Sequence, residues 1–474
     1  MHISQFLSQW TYEVEEDFKG PDGTAAKWAS GQPAAWGQES KKISLGSTSA
    51  SIAIAVDPSG SFLAVAVEKE IWVYSVSTLE RTEVLKGHTE DVRKVAFRPQ
   101  LKSNTSGDTY SLASSSNHNN GSGNMIILWH LDSSGKDRNP QTSPQPTIDS
   151  LTTVVSRALV GELQKYDWDE NEKAIQEMIK AFRGDITTAC VAHNLEHRTV
   201  LPGSFFGFGS QAFANDGALL FFKTHAQSTQ HGMRPPDQLP CINVWNTSKS
   251  AIDLELRGHT DSIMWVGASP NNEMIASAAW DQSIRIWDIK TGECLRNFGP
   301  FGGQMWSCAF SPDSKYIAFH QGNPQPITFV YNIENGTEVS KIEEFKSWAR
   351  SMDWGPDGNT LAAGGGGGQL CVWDPYTGKL LQNWQLAVKN IPGGRSFMSV
   401  AGVEYIEDGK KLMFKTTDGS IEVYDFGQNL KWHFGKGKKD KVTTFSGEET
   451  FCWSEKLGMI ISADSDGSIR FWEL

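Results

Sequence analysis

Residues 258–290, GHTDSIMWVGASPNNEMIASAAWDQSIRIWDIK, contain short apolar runs separated by turn-forming residues. The first run, Ile263 to Ala268, ends at Ser-Pro-Asn-Asn, and the second, Met274 to Ala279, ends at Trp-Asp-Gln-Ser. From Ile284 to Ile289 apolar and polar residues alternate, which is the period of a half-buried β-strand. With a fourth run from Glu293 to Phe298, the stretch predicts one twisted four-stranded sheet.

A sheet of this size cannot bury both of its faces alone, so it needs copies beside it. The pattern of the third strand, apolar–x–apolar–aromatic, recurs along the chain and ends at Tyr74, Trp129, Trp245, Trp287, Tyr331, Trp373, Tyr424 and Trp472. In the second half of the chain the spacing stays close to the roughly 40–45 residues of a four-stranded propeller blade. The pattern therefore predicts eight such sheets.

The stretch at 258–290, which opens on Gly-His and closes on Trp-Asp-Ile-Lys, resembles the WD40 repeat, and the resemblance extends over nearly everything from about Ser40 onward. It implies an all-β fold class, a single eight-bladed WD40-type β-propeller. The last unit stops soon after Trp472, without room for an outer strand, whereas Ser40 to Leu45 is strand-like and has no unit of its own. We expect this N-terminal strand to close the propeller on the last sheet. A seven-bladed ring with one unit outside it is the alternative.

Two segments depart from the repeat. Residues 132–185, within blade two, combine a Ser-, Pro- and Gln-rich linker with two stretches of helical spacing, which predict an inserted pair of α-helices. Residues 1–39 contain Trp10, Trp28 and Trp36. Because tryptophans are unusual in disordered tails, we expect these residues to form an arm docked on or near the ring. Residues 40–474 are then the eight-bladed propeller.

The composition excludes several classes of function. A net charge of −12 over 474 residues argues against binding to the phosphate backbone of nucleic acids, so we do not expect the protein to bind nucleic acid directly. The six cysteines contain no CxxC pair, which favours free thiols in a reducing compartment. The first residues lack a signal-peptide pattern, and no run approaches the roughly 18 apolar residues of a membrane helix. We expect a cytoplasmic or nuclear protein without membrane contact.

The resemblance implies a structural tetrad of His259, Ser277, Asp281 and Trp287, a buried network in which the carboxylate accepts from the imidazole. A His–Ser–Asp set also fits a hydrolase with Ser277 as nucleophile. No GxSxG elbow surrounds that serine, so the structural role is favoured. We predict no catalytic residues and no enzymatic activity.

Two other motifs resemble ligand sites but do not have the residues that such sites need. Cys190, His193 and His197 have ligand-like spacing, but a zinc site needs a fourth ligand nearby. The five glycines from Gly364 to Gly368 lack the following helix and Lys of a phosphate loop, and we interpret them as a flexible turn between strands. We therefore predict no metal site and no cofactor.

A binding surface follows from the resemblance. In WD40 rings the residues on either side of the first buried hydrophobic of each inner strand, and the residue before the turn Asp, face the narrow top opening. Here these positions are Arg93, Met264, Trp280, Trp306, Trp348 and Arg350. Three Trp, one Met and two Arg match the composition of interface hot spots. Packing of each Trp against the neighbouring blade is the alternative.

The predicted function is that of a non-catalytic protein-interaction scaffold, a subunit of a larger complex that binds a protein or peptide on the top face of the propeller. The alternative is a substrate receptor of a cullin-type ubiquitin ligase. Residues Ile275 to Lys290 resemble the adaptor-docking box of such receptors, but the segment ends in Lys290, where Arg is usual.

Overall fold

The computed structural model describes residues 7, 10–46, 53–99, 111–116, 124–137, 198–224, 239–387, 398–440 and 445–474. The chain divides into two compact units. The three-sheet unit comprises Ser51–Phe206 and Ala212–Ser262. The five-sheet unit comprises Met1–Ala50, Gly207–Gln211 and Ile263–Leu474.

The strands before the first repeat are β1 (Val14–Glu16), β2 (Lys27–Trp28), β3 (Ala34–Ala35) and β4 (Lys41–Ser44). Those of the three-sheet unit are β5 (Ile54–Val56), β6 (Phe62–Val67), β7 (Glu70–Ser75), β8 (Arg81–Lys86), β9 (Val92–Phe97), β10 (Leu112–Ser116), β11 (Met125–Trp129), β12 (Thr199–Pro202), β13 (Leu219–Phe222), β14 (Cys241–Asn246) and β15 (Ala251–Arg257).

The five-sheet unit continues with β16 (Ile263–Ala268), β17 (Met274–Ala279), β18 (Ile284–Asp288), β19 (Cys294–Phe298), β20 (Met305–Phe310), β21 (Tyr316–Gln321), β22 (Ile327–Asn332), β23 (Glu338–Ile342), β24 (Ala349–Trp354), β25 (Leu361–Gly365), β26 (Gln369–Trp373), β27 (Leu380–Leu386), β28 (Val400–Ile406), β29 (Lys411–Thr416), β30 (Ile421–Asp425), β31 (Leu430–Gly435), β32 (Phe451–Ser454), β33 (Met459–Asp464) and β34 (Ser468–Glu473). A 3₁₀ turn at Glu448–Thr450 precedes β32.

In the three-sheet unit the sheets are antiparallel and follow the chain. Blade one has the order β5-β6-β7-β8, blade two β12-β11-β10-β9, and blade three β13-β14-β15. In blade three isolated bridges, such as Phe213 with Leu220, stand in place of a regular inner strand. Shared apolar cores join blade one to blade two, around Trp129, and blade two to blade three, around Trp245.

The five-sheet unit repeats this arrangement. Blades four and five have the orders β16-β17-β18-β19 and β20-β21-β22-β23, and β24 to β27 and β28 to β31 form blades six and seven. Blade eight has the order β32-β33-β34-β4. Within this unit each adjacent pair of blades, from blade four to blade eight, shares a buried apolar core.

Blade four shows how the sequence pattern forms a sheet. Ile284 and Ile286 are fully buried, whereas Arg285 between them is partly exposed. Burial of each such side chain contributes about 1.5–3 kcal/mol relative to exposure. The strands lie where the apolar runs of residues 258–290 predict them, within one residue at each end.

The N-terminal segment adds strands to three blades. β1 pairs antiparallel with β27 of blade six, and β2 and β3 pair parallel with β31 of blade seven. β4 pairs antiparallel with β34, with Ile43 opposite Ile469. The last sheet therefore receives its outer strand from the start of the chain, as predicted.

The fold class is confirmed: the described residues form eight sheets, the blades of an all-β propeller, and the seven-bladed alternative is wrong. The predicted helix pair is not confirmed. Most of its segment, 138–185, lies outside the described residues, as do Cys190, His193 and His197. No helix among the described residues combines the length and apolar character needed to cross a bilayer.

Candidate functional site

Three tryptophans lie at equivalent edges of three successive sheets in the five-sheet unit. Trp280 follows the last residue of β17, Trp306 is the second residue of β20, and Trp348 immediately precedes β24. The inner-strand neighbours Met305 and Ala349 are fully buried. Because side chains alternate along a strand, Trp306 and Trp348 are left half-buried beside them.

The three indole rings are in contact, with Trp306 in the middle. Its ring centroid lies 5.3 Å from that of Trp280, in an edge-to-face arrangement, and 4.7 Å from that of Trp348. Phe208 contacts Trp306 edge-on at 5.3 Å. Such pairs contribute about 0.5–1.5 kcal/mol each beyond their buried area, so the cluster holds its own shape.

Glycines allow this close arrangement. A Cβ added at Gly322 would lie 2.4 Å from the indole nitrogen of Trp306, and one added at Gly365 would lie 2.2 Å from the carbonyl oxygen of Trp348. The expectation that residues 364–368 form only a flexible turn is therefore partly wrong. Gly364 and Gly365 belong to β25, and the absence of a side chain at Gly365 lets the backbone at Trp348 lie against the strand.

Arg350 completes the cluster. Its guanidinium carbon lies 4.6 Å from the ring centroid of Trp348, a cation–π contact. Burial lowers the pKa of Arg350, and the nearby Glu448 carboxylate opposes that shift. Glu448 itself accepts a hydrogen bond from the backbone N–H of Gly209. We call Trp280, Trp306, Trp348 and Arg350 the tryptophan–arginine surface.

The other two residues predicted to bind are placed differently. Met264, in β16, is half-buried between the buried side chains of Ile263 and Trp265. Arg93, in β9, belongs to the three-sheet unit, is exposed, and forms an ion pair with Asp91 at 3.5 Å. Four of the six predicted residues thus form one contiguous cluster.

The tetrad residues of blade four are buried or turn-forming. Trp287 Nε1 donates to Ser277 Oγ at 2.9 Å, and that serine is fully buried. Asp281 Oδ1 accepts from the backbone and the hydroxyl of Ser283, at 3.1 and 2.7 Å. His259 is 1% exposed. A substrate cannot reach a hydroxyl in this position, which argues against the hydrolase interpretation.

Blade two contains a related network, formed by His88, Ser114 and Trp129. Trp129 Nε1 donates to Ser114 Oγ at 2.7 Å, and the same oxygen is hydrogen-bonded to His88 Nε2 at 2.7 Å. Burial lowers the pKa of His88 to about 3, so its imidazole is neutral at physiological pH. The network therefore stabilises the sheet without carrying a charge.

Sequence reasoning missed several residues of interest. Phe208 and Glu448 lie in loops far along the chain from the tryptophans, and only the Gly-Phe-Gly sequence around Phe208 marks one of them. Arg470, buried in blade eight, pairs with Asp464 at 2.9 Å and Asp466 at 2.6 Å. An Arg at this position of the third strand is not by itself a signal for such a network, because Arg285 at the same position of blade four is partly exposed.

Metal binding and nucleophilic cysteine chemistry find little support among the described residues. Among the described residues no group of three or more His, Cys, Asp or Glu side chains is arranged to hold a metal ion. The five cysteines within the described ranges are free thiols. Burial raises the pKa of the Cys308 thiol well above its usual range and that of Cys241 to about 12, so neither is a ready nucleophile.

The chain is similar to known repeat proteins. The family model of the WD domain, G-beta repeat, matches residues 252–288 and 336–374. WD repeat-containing protein SL1-17 of Schistosoma mansoni is 25% identical over 181 residues, which cover 38% of this chain and 56% of that protein. Small ribosomal subunit protein RACK1y of Oryza sativa is 25% identical over 271 residues, 46% of this chain and 76% of that protein.

Eukaryotic translation initiation factor 3 subunit I of Aspergillus terreus is 27% identical over 184 residues, 36% of this chain and 51% of that protein. The match thus spans about half the length of SL1-17 and of the initiation factor subunit. Among solved structures, that of the computationally designed Ika8 protein has a TM-score of 0.57 at 14% identity, over 91% of this chain and 98% of that one, a likeness of fold alone. The family model, the eight sheets and these matches together support the resemblance of the chain to WD40-repeat β-propellers.

Proposed function

We propose that this protein is a non-catalytic interaction scaffold, a subunit of a larger complex, that binds a protein or peptide on the tryptophan–arginine surface. The observation that carries the proposal is the continuous contact of Trp280, Trp306, Trp348 and Arg350 at the edges of three successive sheets. Fold alone does not specify function in propellers, so the proposed function depends on these side chains.

The energetics of the cluster favour a binding role. Trp and Arg are the residues most enriched among interface hot spots. The indoles support one another through ring contacts, so a partner would meet a preorganised surface and little side-chain entropy would be lost on binding. A partner that covers Trp306 and Trp348 would bury the parts of their rings that the fold leaves exposed.

Membership of a complex is supported by the relatives. Two of them are named as components of assemblies, a small ribosomal subunit protein and a subunit of initiation factor 3. Free cysteines within the described ranges suit a cytoplasmic or nuclear location.

The ligase alternative gains no support beyond its sequence likeness. Residues 275–290 form β17 and β18, and the side chains of Ile275, Ile286 and Trp287 are buried in blade four. Packing of these side chains within blade four therefore explains the sequence pattern of the segment.

Affinity purification with mass spectrometry tests the proposal. The wild type is compared with a Trp306→Ala/Arg350→Ala double variant and with a control, Trp72→Ala/Arg81→Ala. The control pair has the same stacking distance of 4.6 Å but lies in blade one. We expect the first variant to lose a specific subset of partners that the control retains. Identical sets of partners for all three proteins would show that the surface is not used.

A further inference from the structure

We propose that the occupant of the tryptophan–arginine surface is a peptide segment with a carboxylate side chain next to an apolar one. The carboxylate pairs with Arg350, and the apolar side chain packs on Trp306 and Trp348. The inference rests on the proposed function, because it names the chemistry of the partner for that same surface.

Arg350 is half-buried against the Trp348 ring, so part of its guanidinium is withdrawn from water, and this burial lowers its pKa. Within the described ranges it forms no hydrogen bond and no ion pair, and its Nε is buried without an acceptor. A partly desolvated cation without an anionic partner is costly, and a carboxylate with two oxygens matches the guanidinium fork.

Other arginines that stack on tryptophan show what Arg350 lacks. Arg285 lies 5.8 Å from the Trp287 ring and donates to Cys294 Sγ at 3.8 Å. Arg198 lies 4.5 Å from the Trp129 ring and pairs with Asp137. Arg470 lies 4.1 Å from the Trp36 ring and pairs with Asp464 and Asp466. Arg81 stacks on Trp72 at 4.6 Å but is exposed, so water solvates it.

Each of the two buried stacked arginines thus has a carboxylate from its own chain. Arg350 is withdrawn from water and has none within 4 Å among the described residues. The missing carboxylate is what a partner would supply.

The surroundings favour a single negative charge over a phosphate. The described charge that acts on Arg350 is the Glu448 carboxylate, which Gly209 holds in place by its N–H. A phosphorylated residue brings nearly two negative charges and is usually met by several arginines. A single guanidinium whose charge is partly offset by Glu448 at longer range offers too little positive charge for a phosphate, so a monoanion is the better match.

The tryptophans determine what lies next to that carboxylate. The faces of Trp306 and Trp348 are half-buried, with 4.7 Å between centroids, so no room exists between the rings. A cation cannot be caged between them. An apolar side chain can lie across both rings, one residue away from the acid that reaches Arg350.

The test screens a library of displayed random peptides for binding to the purified full chain. Wild type, Arg350→Glu, Trp306→Ala and the control Arg81→Glu are compared. The most enriched wild-type peptide is then synthesised with its acidic residue kept, changed to the corresponding amide, or replaced by phosphoserine. Dissociation constants are measured against all four proteins, and melting curves verify folding. Arg350→Gln repeats the comparison if Arg350→Glu does not fold.

We expect wild type and Arg81→Glu to select peptides with Asp or Glu beside an apolar residue. Arg350→Glu should weaken binding of the acidic peptide at least about tenfold and leave the amide peptide unaffected. Selection of the same peptides with the same affinity by Arg350→Glu, together with their loss in Trp306→Ala, would contradict the predicted pairing of a peptide carboxylate with Arg350. That result would leave the proposed function standing. If Trp306→Ala also binds as wild type does, both proposals fail. If the phosphoserine peptide binds more tightly than the acidic one, the ligand of Arg350 is a phosphate and the carboxylate proposal is overturned.

Discussion

The indole nitrogen of Trp306 lies directly against Gly322, where an added Cβ would be only 2.4 Å away. The conformation at Gly322 is one that other residues adopt, so only space forbids a side chain there. We predict that Gly322→Ala tilts the Trp306 ring out of its contacts with Trp280 and Trp348. Partner binding should fall about tenfold or more, because the central ring of the surface is displaced.

The measurement for Gly322→Ala is pull-down of the partners retained by wild type, together with tryptophan fluorescence. Gly207→Ala is the matched control, since a Cβ there meets nothing within 4 Å. Equal binding by both variants would mean that the orientation of Trp306 does not matter to the partner.

A second prediction concerns stability in blade two. Ser114→Ala removes the oxygen that Trp129 Nε1 and His88 Nε2 share, and leaves two buried polar groups without this partner. The free energy of unfolding should fall by about 2–6 kcal/mol, the sum of two losses of about 1–3 kcal/mol each. Urea unfolding followed by circular dichroism measures this. The control, Ser248→Ala, lies on the surface and should change the free energy by less than about 0.5 kcal/mol.

A third prediction is a pH dependence from His320. This side chain is fully buried in β21, with Nδ1 hydrogen-bonded to Thr328 Oγ1 at 2.9 Å, and burial lowers its pKa to about 3. The unfolded chain binds a proton at this site below about pH 6.5, whereas the folded chain does not. Its contribution to stability is therefore present above that pH and is lost as the pH falls towards 3.

At pH 5 the loss from His320 amounts to about 2 kcal/mol relative to pH 7. His320→Gln keeps a group that can bond to Thr328 but does not titrate. The difference in unfolding free energy between wild type and this variant, measured in urea from pH 7 to pH 5, isolates the contribution. Parallel curves for the two proteins would contradict the low pKa.

The blades could be predicted from the sequence because each repeats the same local pattern. Strand three of blade four alternates Ile284, Arg285, Ile286 in the sequence, and burial follows that alternation in the structure. The pairing of β4 with β34 also followed from local reasoning, since a strand-like segment without a unit and a unit without an outer strand complete each other.

What could not be predicted depends on contacts between residues far apart in sequence. Positions on the inner strands identify Trp306 and Arg350, but neither the ring contact of Phe208 nor the charge of Glu448 follows from any local pattern. The role of the glycines is similar. Gly365 is needed because the carbonyl of Trp348 lies against it, a distance that only packing between strands determines.

Blade eight illustrates the same limit for charged residues. It lacks the Gly-His of the repeat but keeps Ser462, Asp466 and Trp472. Its buried charges form a network of their own: Lys415 of blade seven is fully buried, with its Nζ 3.7 Å from Asp464, and Arg470 pairs with the same aspartate. Lys415 lies in an otherwise ordinary strand pattern, so only the fold reveals its partner.

The last prediction tests this network and its connection to the N-terminal arm. Arg470 stacks on Trp36, contacts Glu39 at 3.6 Å, and pairs with Asp464 and Asp466. Arg470→Leu leaves the two aspartates short of a cation in a buried site. Breaking a buried pair in this way costs about 3–5 kcal/mol, so the unfolding free energy should fall by that amount.

Hydrogen exchange provides the second readout for Arg470→Leu, because residues 27–44 should exchange faster once the stacking on Trp36 is lost. Lys249→Leu is the control, since its ion pair with Asp253 is at the surface and contributes at most about 1 kcal/mol. Arg470→Lys, which keeps the charge but not the planar fork, should recover part of the stability and little of the protection in the arm. Full protection of residues 27–44 in Arg470→Leu would show that strand pairing alone holds the arm, and that the arginine serves blade eight only.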